Sequence, residues 1–219
     1  MSVARAAGGE ADRAAPGVAR AAGGEANPPA PGSAPPRLPL LLVGHGTRSA
    51  AGVAEFGRFT ARVRARAAGR IPVVDGGYIE LASPSVADVV ARMAAERDGR
   101  GLDLVALPLV LTAAGHGKGD VPAALARERA RHPGLRYRYG RPLGPHPVLQ
   151  EVLAARIGAA LGADSRTGTF VVVTGRGSTD PDANAEVAKV CRLLWEGRGY
   201  DEVELSFVSL APPGVPAAL

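Results

Sequence analysis

The chain has 219 residues, of which 46% are hydrophobic, 21% charged and 4% aromatic, a composition typical of a globular protein with an aliphatic core. Its single cysteine, Cys191, excludes an internal disulfide and a cysteine-based zinc cluster, and this favours a reducing compartment. A net charge of +5 suits an anionic partner, but no basic face interleaved with aromatic residues favours nucleic acid.

The N-terminal 37 residues are predicted to form a disordered tail. Residues 3–11 recur unchanged at 18–26, and the whole segment is rich in Ala, Gly, Pro and Arg. Such a segment buries too little apolar surface to offset the entropy lost on ordering. It also lacks the apolar stretch of a signal peptide, and the chain has no apolar run of about 18 residues. We therefore expect a cytoplasmic protein that does not bind membranes.

From residue 38 onward, predicted strands alternate with predicted helices. Apolar runs predict strands at 40–43, at 71–74 with 78–79, at 104–111 and at 135–139. Apolar periodicity and proline positions predict helices at about 50–67, from 84, from 120 and at about 147–161. This alternation indicates an α/β fold in which a parallel four-stranded sheet is covered by helices on both faces. We assign residues 38–162 to this lobe.

A second stretch, from residue 169 to 219, resembles the beginning of the first lobe. The segment 170–178 mirrors 40–47, and 205–215 mirrors 76–86. The sequence therefore predicts an incomplete second copy of the same lobe. Two strands and one helix are not expected to be stable alone. They would have to pack on the first lobe, pair with a second chain in a homodimer, or represent the remnant of a longer sequence.

Two histidines follow predicted strands and lie between glycines. His45 stands in Gly-His-Gly after the first strand, and His116 stands in Gly-His-Gly-Lys-Gly-Asp after the third. Glu80 follows the second strand, so all three side chains are expected at the same edge of a parallel sheet. Neutral imidazole binds divalent Fe, Co, Ni or Zn and also titrates near neutral pH. The alternatives are a histidine that only caps a helix and a solvated loop carboxylate.

Other polar residues near these positions fit a supporting role. Arg48 and Lys118 lie beside the two histidines and are candidates for pairing with substrate carboxylates, although ordinary solvated positions are equally consistent. The sequence contains neither a Gly-x-Gly-x-x-Gly fingerprint nor a phosphate-binding P-loop, and no organic cofactor is predicted.

Three segments together resemble the sirohydrochlorin chelatases of the class II chelatase group, and the later segment 175–184 resembles the opening of the second lobe in their long, two-lobed members. The three segments are Gly44-His-Gly-Thr-Arg48, Glu80-Leu-Ala-Ser-Pro84 and Pro108-Leu-Val-Leu-Thr-Ala-Ala-Gly-His-Gly-Lys-Gly-Asp-Val-Pro122. The resemblance implies insertion of Co²⁺ or Fe²⁺ into sirohydrochlorin for cobalamin or siroheme synthesis, with the divalent metal as a substrate.

The resemblance also implies residue roles. His45 and His116 would bind the metal and take protons from the macrocycle, with Glu80 as a third catalytic residue. Arg176 occupies the second-copy position equivalent to His45, where it is expected to bind a substrate carboxylate. Two alternatives remain open from the sequence: a metal or tetrapyrrole carrier without turnover, and a metal-dependent hydrolase that uses His45, His116 and Glu80 on water.

Overall fold

The computed structural model describes residues 37–97, 100–112, 116–163 and 165–219, and of His116 and Gly117 it describes only the backbone. Except for Arg37, the predicted disordered tail lies outside these residues. The elements in chain order are β1 (Leu40–Gly44), α1 (Ala50–Ala67), β2 (Val74–Tyr78), α2 (Val86–Ala95), β3 (Leu102–Pro108), a π-helical turn (His116–Asp120), α3 (Val121–Arg131), β4 (Leu135–Tyr139), α4 (Pro147–Leu161), β5 (Phe170–Gly175), α5 (Pro181–Trp195), β6 (Glu202–Phe207) and a 3₁₀ turn (Val215–Ala217).

Four strands form one parallel sheet in the order β2-β1-β3-β4, which we call the first sheet. In its register, Leu42 of β1 lies between Gly76 of β2 and Leu107 of β3. This confirms the predicted α/β fold with a four-stranded parallel sheet.

Helices cover both faces of the first sheet. Leu41 and Val43 of β1 are buried in a cluster with residues of α2, α3, β3 and β4. Leu42, which points to the opposite face, packs with Val74 of β2 and Ala67 of α1. Side chains alternate between faces along a strand, so this fully apolar strand supplies both halves of the core.

The second strand differs from the sequence prediction. It runs from Val74 to Tyr78 through Gly76 and Gly77, whereas the prediction rested on the apolar residues at 71–74 and 78–79 and began the strand at residue 71. A Cβ on Gly76 would lie 2.7 Å from the Phe56 ring, and one on Gly77 would lie 3.0 Å from the backbone of α2. The glycines therefore let the helices approach β2 closely, an effect that local strand preference does not reveal.

Two strands, β5 and β6, form a second parallel sheet. Leu194 of α5 and Val203 of β6 are buried in a cluster with Ala154 of α4, and Leu153 and Ile157 of α4 pack against it. Helix α4 therefore covers the second sheet, although the sequence analysis placed this helix in the first lobe. The domain limits at 162 and 169 remain a prediction.

Within the described part of the chain, no helix combines the length and the apolar character needed to cross a bilayer.

Candidate functional site

The candidate site lies at the carboxyl edge of the first sheet. The chain that leaves β1 leads to β2 on one side, and the chain that leaves β3 leads to β4 on the other side. The two connections therefore run in opposite directions from the adjacent carboxyl ends of β1 and β3. Such a switch point opens a crevice, where open α/β sheets bind their ligands. His45 directly follows β1, and the chain that leaves β3 leads to the π-helical turn that begins at His116.

The backbone holds His45 and Glu80 side by side. Beyond the last paired strand residues, Ile79 N–H donates to the Gly44 carbonyl and Glu80 N–H donates to the His45 carbonyl. Gly46 adopts a positive φ of 110°, and a Cβ there would lie 1.7 Å from the Glu80 carbonyl oxygen. Only glycine permits this approach, which explains the residue after His45.

The two side chains meet at hydrogen-bonding distance. His45 Nε2 lies 3.3 Å from Glu80 Oε1, and the two side chains are 38% and 53% exposed. His45 Nδ1 lies 3.2 Å from the Gly46 carbonyl oxygen. A carbonyl can only accept, so in this contact Nδ1 carries the hydrogen. A neutral ring then presents the lone pair of Nε2, and a protonated ring donates its Nε2 hydrogen to Glu80.

The chemistry of imidazole allows two functions at Nε2 of His45. A neutral ring nitrogen can bind a metal ion, and the same nitrogen can accept a proton when no metal is bound. A carboxylate at the position of Glu80 can accept a hydrogen bond from Nε2. The contact between these two residues agrees with their expected position at a common sheet edge, while their roles remain a prediction.

The structure places the backbone of His116 at the start of a single π-helical turn that runs directly into α3. Its side chain lies outside the described residues, so its approach to His45 stays a prediction. Among the described residues, no group of three or more His, Cys, Asp or Glu side chains is placed to hold a metal ion.

The three predicted cationic residues have different surroundings. Arg48 and Arg176 are exposed, and neither side chain contacts an acidic residue in the described part of the chain. Lys118 instead lies 2.7 Å from Asp180 and 2.8 Å from Asp182. The hydrogen bonds that Lys118 donates to both carboxylates raise its pKa, and its ammonium group lowers the pKa of Asp180.

The sequence interpretation missed the two aspartates that bind Lys118. They stand in Asp180-Pro-Asp182 at the start of α5, where Asp180 also caps the helix by accepting from Asp182 N–H. An acidic helix start is an ordinary capping signal, so it gave no indication of a partner 64 residues away. The sequence interpretation also did not place Asp120 and Arg127 near Glu80. In the structure these three residues line one surface pocket.

The second sheet repeats the backbone of this site. Val208 N–H donates to the Gly175 carbonyl and Ser209 N–H donates to the Arg176 carbonyl, as Ile79 and Glu80 do in the first sheet. Gly177 has a φ of 89°, and a Cβ there would lie 1.7 Å from the Ser209 carbonyl oxygen. Arg176 and Ser209 therefore occupy the positions that His45 and Glu80 occupy in the first sheet.

The fold and the site together define a class: parallel α/β proteins that carry a histidine and a carboxylate at the carboxyl edge of the sheet, beside the switch point. The chain belongs to the CbiX family, whose sequence profile matches residues 39–160 and 170–219. This confirms the resemblance to the sirohydrochlorin chelatases that the sequence motifs indicated.

Individual relatives agree with this assignment. The chain is 34% identical to a sirohydrochlorin cobaltochelatase of Priestia megaterium over 80% of this chain and 56% of the relative. It is 27% identical to a sirohydrochlorin ferrochelatase of the same organism over 82% of this chain and 65% of the relative. These names denote metal chelatases, which are lyases. The chain thus spans about three fifths of the length of the curated relatives it matches.

Among solved structures, the chain resembles SirB from Bacillus subtilis with Fe³⁺. The TM-score is 0.74 at 28% identity, over 83% of this chain and 69% of SirB. A SirB structure from subspecies spizizenii in complex with cobalt gives a TM-score of 0.64 at 29% identity, over 77% of this chain and 66% of that one.

Proposed function

We propose that this chain acts as a sirohydrochlorin chelatase, which inserts Co²⁺ or Fe²⁺ into sirohydrochlorin in cobalamin or siroheme synthesis. The observation that carries the proposal is the contact between His45 Nε2 and Glu80 Oε1 at the carboxyl edge of the first sheet. The names of the relatives, together with the cobalt and iron of the similar SirB structures, support the substrate class. The metal is a substrate, and no organic cofactor is invoked.

The reaction needs a base that can also hold a metal briefly. Sirohydrochlorin loses two pyrrolic N–H protons as the divalent ion enters, so each turnover consumes one metal ion and releases two protons. His45 would bind the ion through neutral Nε2, pass it to the ring and then take a proton at the same nitrogen. Glu80 would stabilise that proton, and His116 would serve as the second ligand and base.

The exposed cations suit the periphery of the substrate. Sirohydrochlorin carries several carboxylates, and a guanidinium group binds a carboxylate through two parallel hydrogen bonds. Arg48 and Arg176, each next to a strand end, would provide such contacts. Lys118 would contribute only by exchanging Asp180 or Asp182 for a carboxylate of the substrate.

The experiment is a metal-insertion assay. The purified chain is mixed with sirohydrochlorin and either Co²⁺ or Fe²⁺, and the absorbance change of metallation is followed against a protein-free reaction. We expect acceleration by the chain and its loss in His45→Ala and in His116→Ala. His132→Ala changes a histidine at the end of α3, away from the strand edge, and should keep the activity. A rate equal to the protein-free reaction would contradict the proposal.

The same assay separates the carrier alternative. A carrier binds sirohydrochlorin or metal tightly without accelerating their combination, so binding titrations would succeed where the rate assay fails.

We also propose that two chains form a homodimer, which would complete the substrate cleft. It predicts a mass in solution of twice the 22.3 kDa of one chain.

A further inference from the structure

Two leucines in the structure adopt a backbone conformation that leucine rarely takes. Leu81 and Leu210 both have a φ of 64°, and they are the only non-glycine residues with positive φ in the described part of the chain. Each is the central residue of a three-residue turn. Ala82 N–H donates to the Glu80 carbonyl at 2.8 Å, and Ala211 N–H donates to the Ser209 carbonyl at 2.9 Å.

Both turns are unfavourable in two respects. A bulky side chain at positive φ strains the backbone, and a turn closed in this way is itself rare and strained. In addition, the Leu81 and Leu210 side chains are 46% and 59% exposed, so little burial compensates for the strain. Glycine would remove the strain at both positions. Backbone strain of this kind concentrates at ligand-binding sites.

Equivalent backbone contacts surround the two turns. Each directly follows a residue whose N–H is fixed by the neighbouring strand end: Glu80 by His45, and Ser209 by Arg176. The glycines after His45 and Arg176 leave room for the carbonyls that close the turns. The chain therefore builds the same exposed leucine twice, once beside the His45–Glu80 contact and once beside Arg176.

Leu81 and Leu210 lie at the carboxyl edges of the first and second sheets, and an ion pair connects these two edges. Lys118, in the π-helical turn beyond the carboxyl end of β3, binds Asp180, which precedes α5 beyond the carboxyl end of β5. This contact brings the carboxyl edges of the first and second sheets together. Leu81 lies at the first of these edges and Leu210 at the second.

We propose that Leu81 and Leu210 are apolar contact residues for the flat face of a conjugated macrocycle bound at these edges. This inference rests on the proposed chelatase function and names the part of the substrate that the cations do not recognise. A tetrapyrrole has a carboxylate rim and apolar faces, so it needs cations at its periphery and exposed apolar side chains against the ring. The strained turns hold two leucines away from the protein's own core, where they can meet such a face.

The test uses Leu81→Gly, Leu210→Gly and the double variant. Leu81→Asn is a second form, because asparagine tolerates positive φ but offers no apolar side chain. The matched control is Val148→Ala on α4, whose side chain is 61% exposed and far along the chain from both turns. Three quantities are measured on each protein: affinity for metal-free sirohydrochlorin, affinity for Co²⁺ alone, and Tm.

We expect each single glycine variant to weaken sirohydrochlorin binding about five- to tenfold and the double variant more than about 20-fold, because apolar contact area is lost. Leu81→Asn should behave like Leu81→Gly. Affinity for Co²⁺ should stay within about twofold, and the Tm of the glycine variants should not fall, since the strain is relieved. Val148→Ala should match the wild-type chain in all three measurements.

Sirohydrochlorin affinity unchanged in the double variant would overturn the inference, and a lower Tm with unchanged affinity would show that the leucines serve the fold instead. The proposed function is judged separately. A wild-type chain that binds sirohydrochlorin but does not accelerate metal insertion would refute catalysis, while the affinity ratios would still decide the role of the leucines. A wild-type chain that binds no sirohydrochlorin would overturn both.

Discussion

The central interaction at the residue scale is the contact between His45 and Glu80. The histidine ring is fixed at both nitrogens, by the Gly46 carbonyl at Nδ1 and by the Glu80 carboxylate at Nε2. The Gly46 carbonyl fixes the tautomer from the nitrogen that does not bind metal, as partners of metal-binding histidines do, whereas the Glu80 carboxylate faces the nitrogen that would bind it. The sequence placed both residues at strand ends, but only the folded chain shows that they touch.

Replacing Glu80 with Gln tests this contact. The amide keeps the size of the side chain but removes the charge that stabilises a bound cation and a protonated His45. We expect the affinity for Co²⁺ to fall about tenfold, because the carboxylate lies on the metal-binding side of the ring and its charge attracts the cation, and we expect the insertion rate to fall with it. Calorimetric titration with Co²⁺ measures the affinity. Glu55→Gln, an exposed carboxylate on α1, is the control, and equal affinity in both variants would refute the role of Glu80.

Gly46 is predicted to be indispensable for stability. In Gly46→Ala the Cβ would collide with the Glu80 carbonyl oxygen, and alanine would have to adopt a φ of 110°. The hydrogen bond between Glu80 N–H and the His45 carbonyl keeps the two segments from moving apart. We expect the free energy of unfolding to drop by more than about 2 kcal/mol. Urea denaturation measures it. Gly57→Ala, at an exposed position of α1 with open space around it, should instead gain about 1 kcal/mol, and similar losses in both variants would contradict the argument.

At the scale of elements, the sequence predicted best where packing follows local periodicity. The predictions for α1, β4 and α4 match the observed Ala50–Ala67, Leu135–Tyr139 and Pro147–Leu161. The predictions failed at β2 and at the end of β3, which was predicted to reach residue 111 and ends at Pro108. Apolar runs report burial, whereas strand limits depend on pairing with a neighbouring strand.

The start of α2 provides a pH-dependent prediction. Ser85 and Asp88 form a reciprocal capping box, in which the Ser85 backbone N–H and then its hydroxyl lower the pKa of Asp88. A carboxyl whose pKa is lower in the folded state adds stability above its unfolded pKa of about 4 and loses that contribution as pH falls through the folded value.

We therefore expect Asp88→Asn to destabilise the protein at pH 7, and we expect this difference to shrink progressively as the pH falls below about 4. Urea unfolding at a series of pH values measures the free-energy difference. Asp201→Asn, an exposed aspartate outside any helix cap, serves as the control and should show no comparable trend. A difference for Asp88→Asn that does not change with pH would show that the capping box does not depend on the carboxylate charge.

At the scale of the whole molecule, the second sheet and its helix contact the preceding part of the chain in two places. Helix α4 contributes to the buried cluster of the second sheet, and Arg198 beyond α5 binds Glu151 of α4. At the site, Lys118 binds Asp180 and Asp182. The second copy packs on α4, in agreement with one of the three possibilities that the sequence left open, and the other two stay predictions.

The Lys118 link is expected to order the turn that carries His116. In the double variant Asp180→Asn with Asp182→Asn the charges are lost, while the amide oxygen that replaces the Asp180 carboxylate can still cap α5. Hydrogen exchange should become faster in residues 116–120 and in the first turn of α5, with little change elsewhere. Added salt should bring the wild-type chain closer to the variant, because exposed ion pairs are screened.

Asp103→Asn provides the control for this prediction, since it breaks an exposed ion pair with Arg136 near the amino ends of β3 and β4. It should leave exchange in the π-helical turn unchanged. Equal protection of residues 116–120 in the double variant and the wild-type chain would mean that Lys118 does not hold this turn.

The sequence by itself determined the class of fold, the strand ends on which the candidate residues stand and the family, because apolar periodicity and a few glycine-histidine motifs are local properties of the chain. The tertiary structure alone decided which side chains meet: Glu80 with His45, Lys118 with Asp180, and α4 with the second sheet. These contacts join residues that are distant along the chain. Their partners are selected by strand order and helix packing, which no short window of sequence contains.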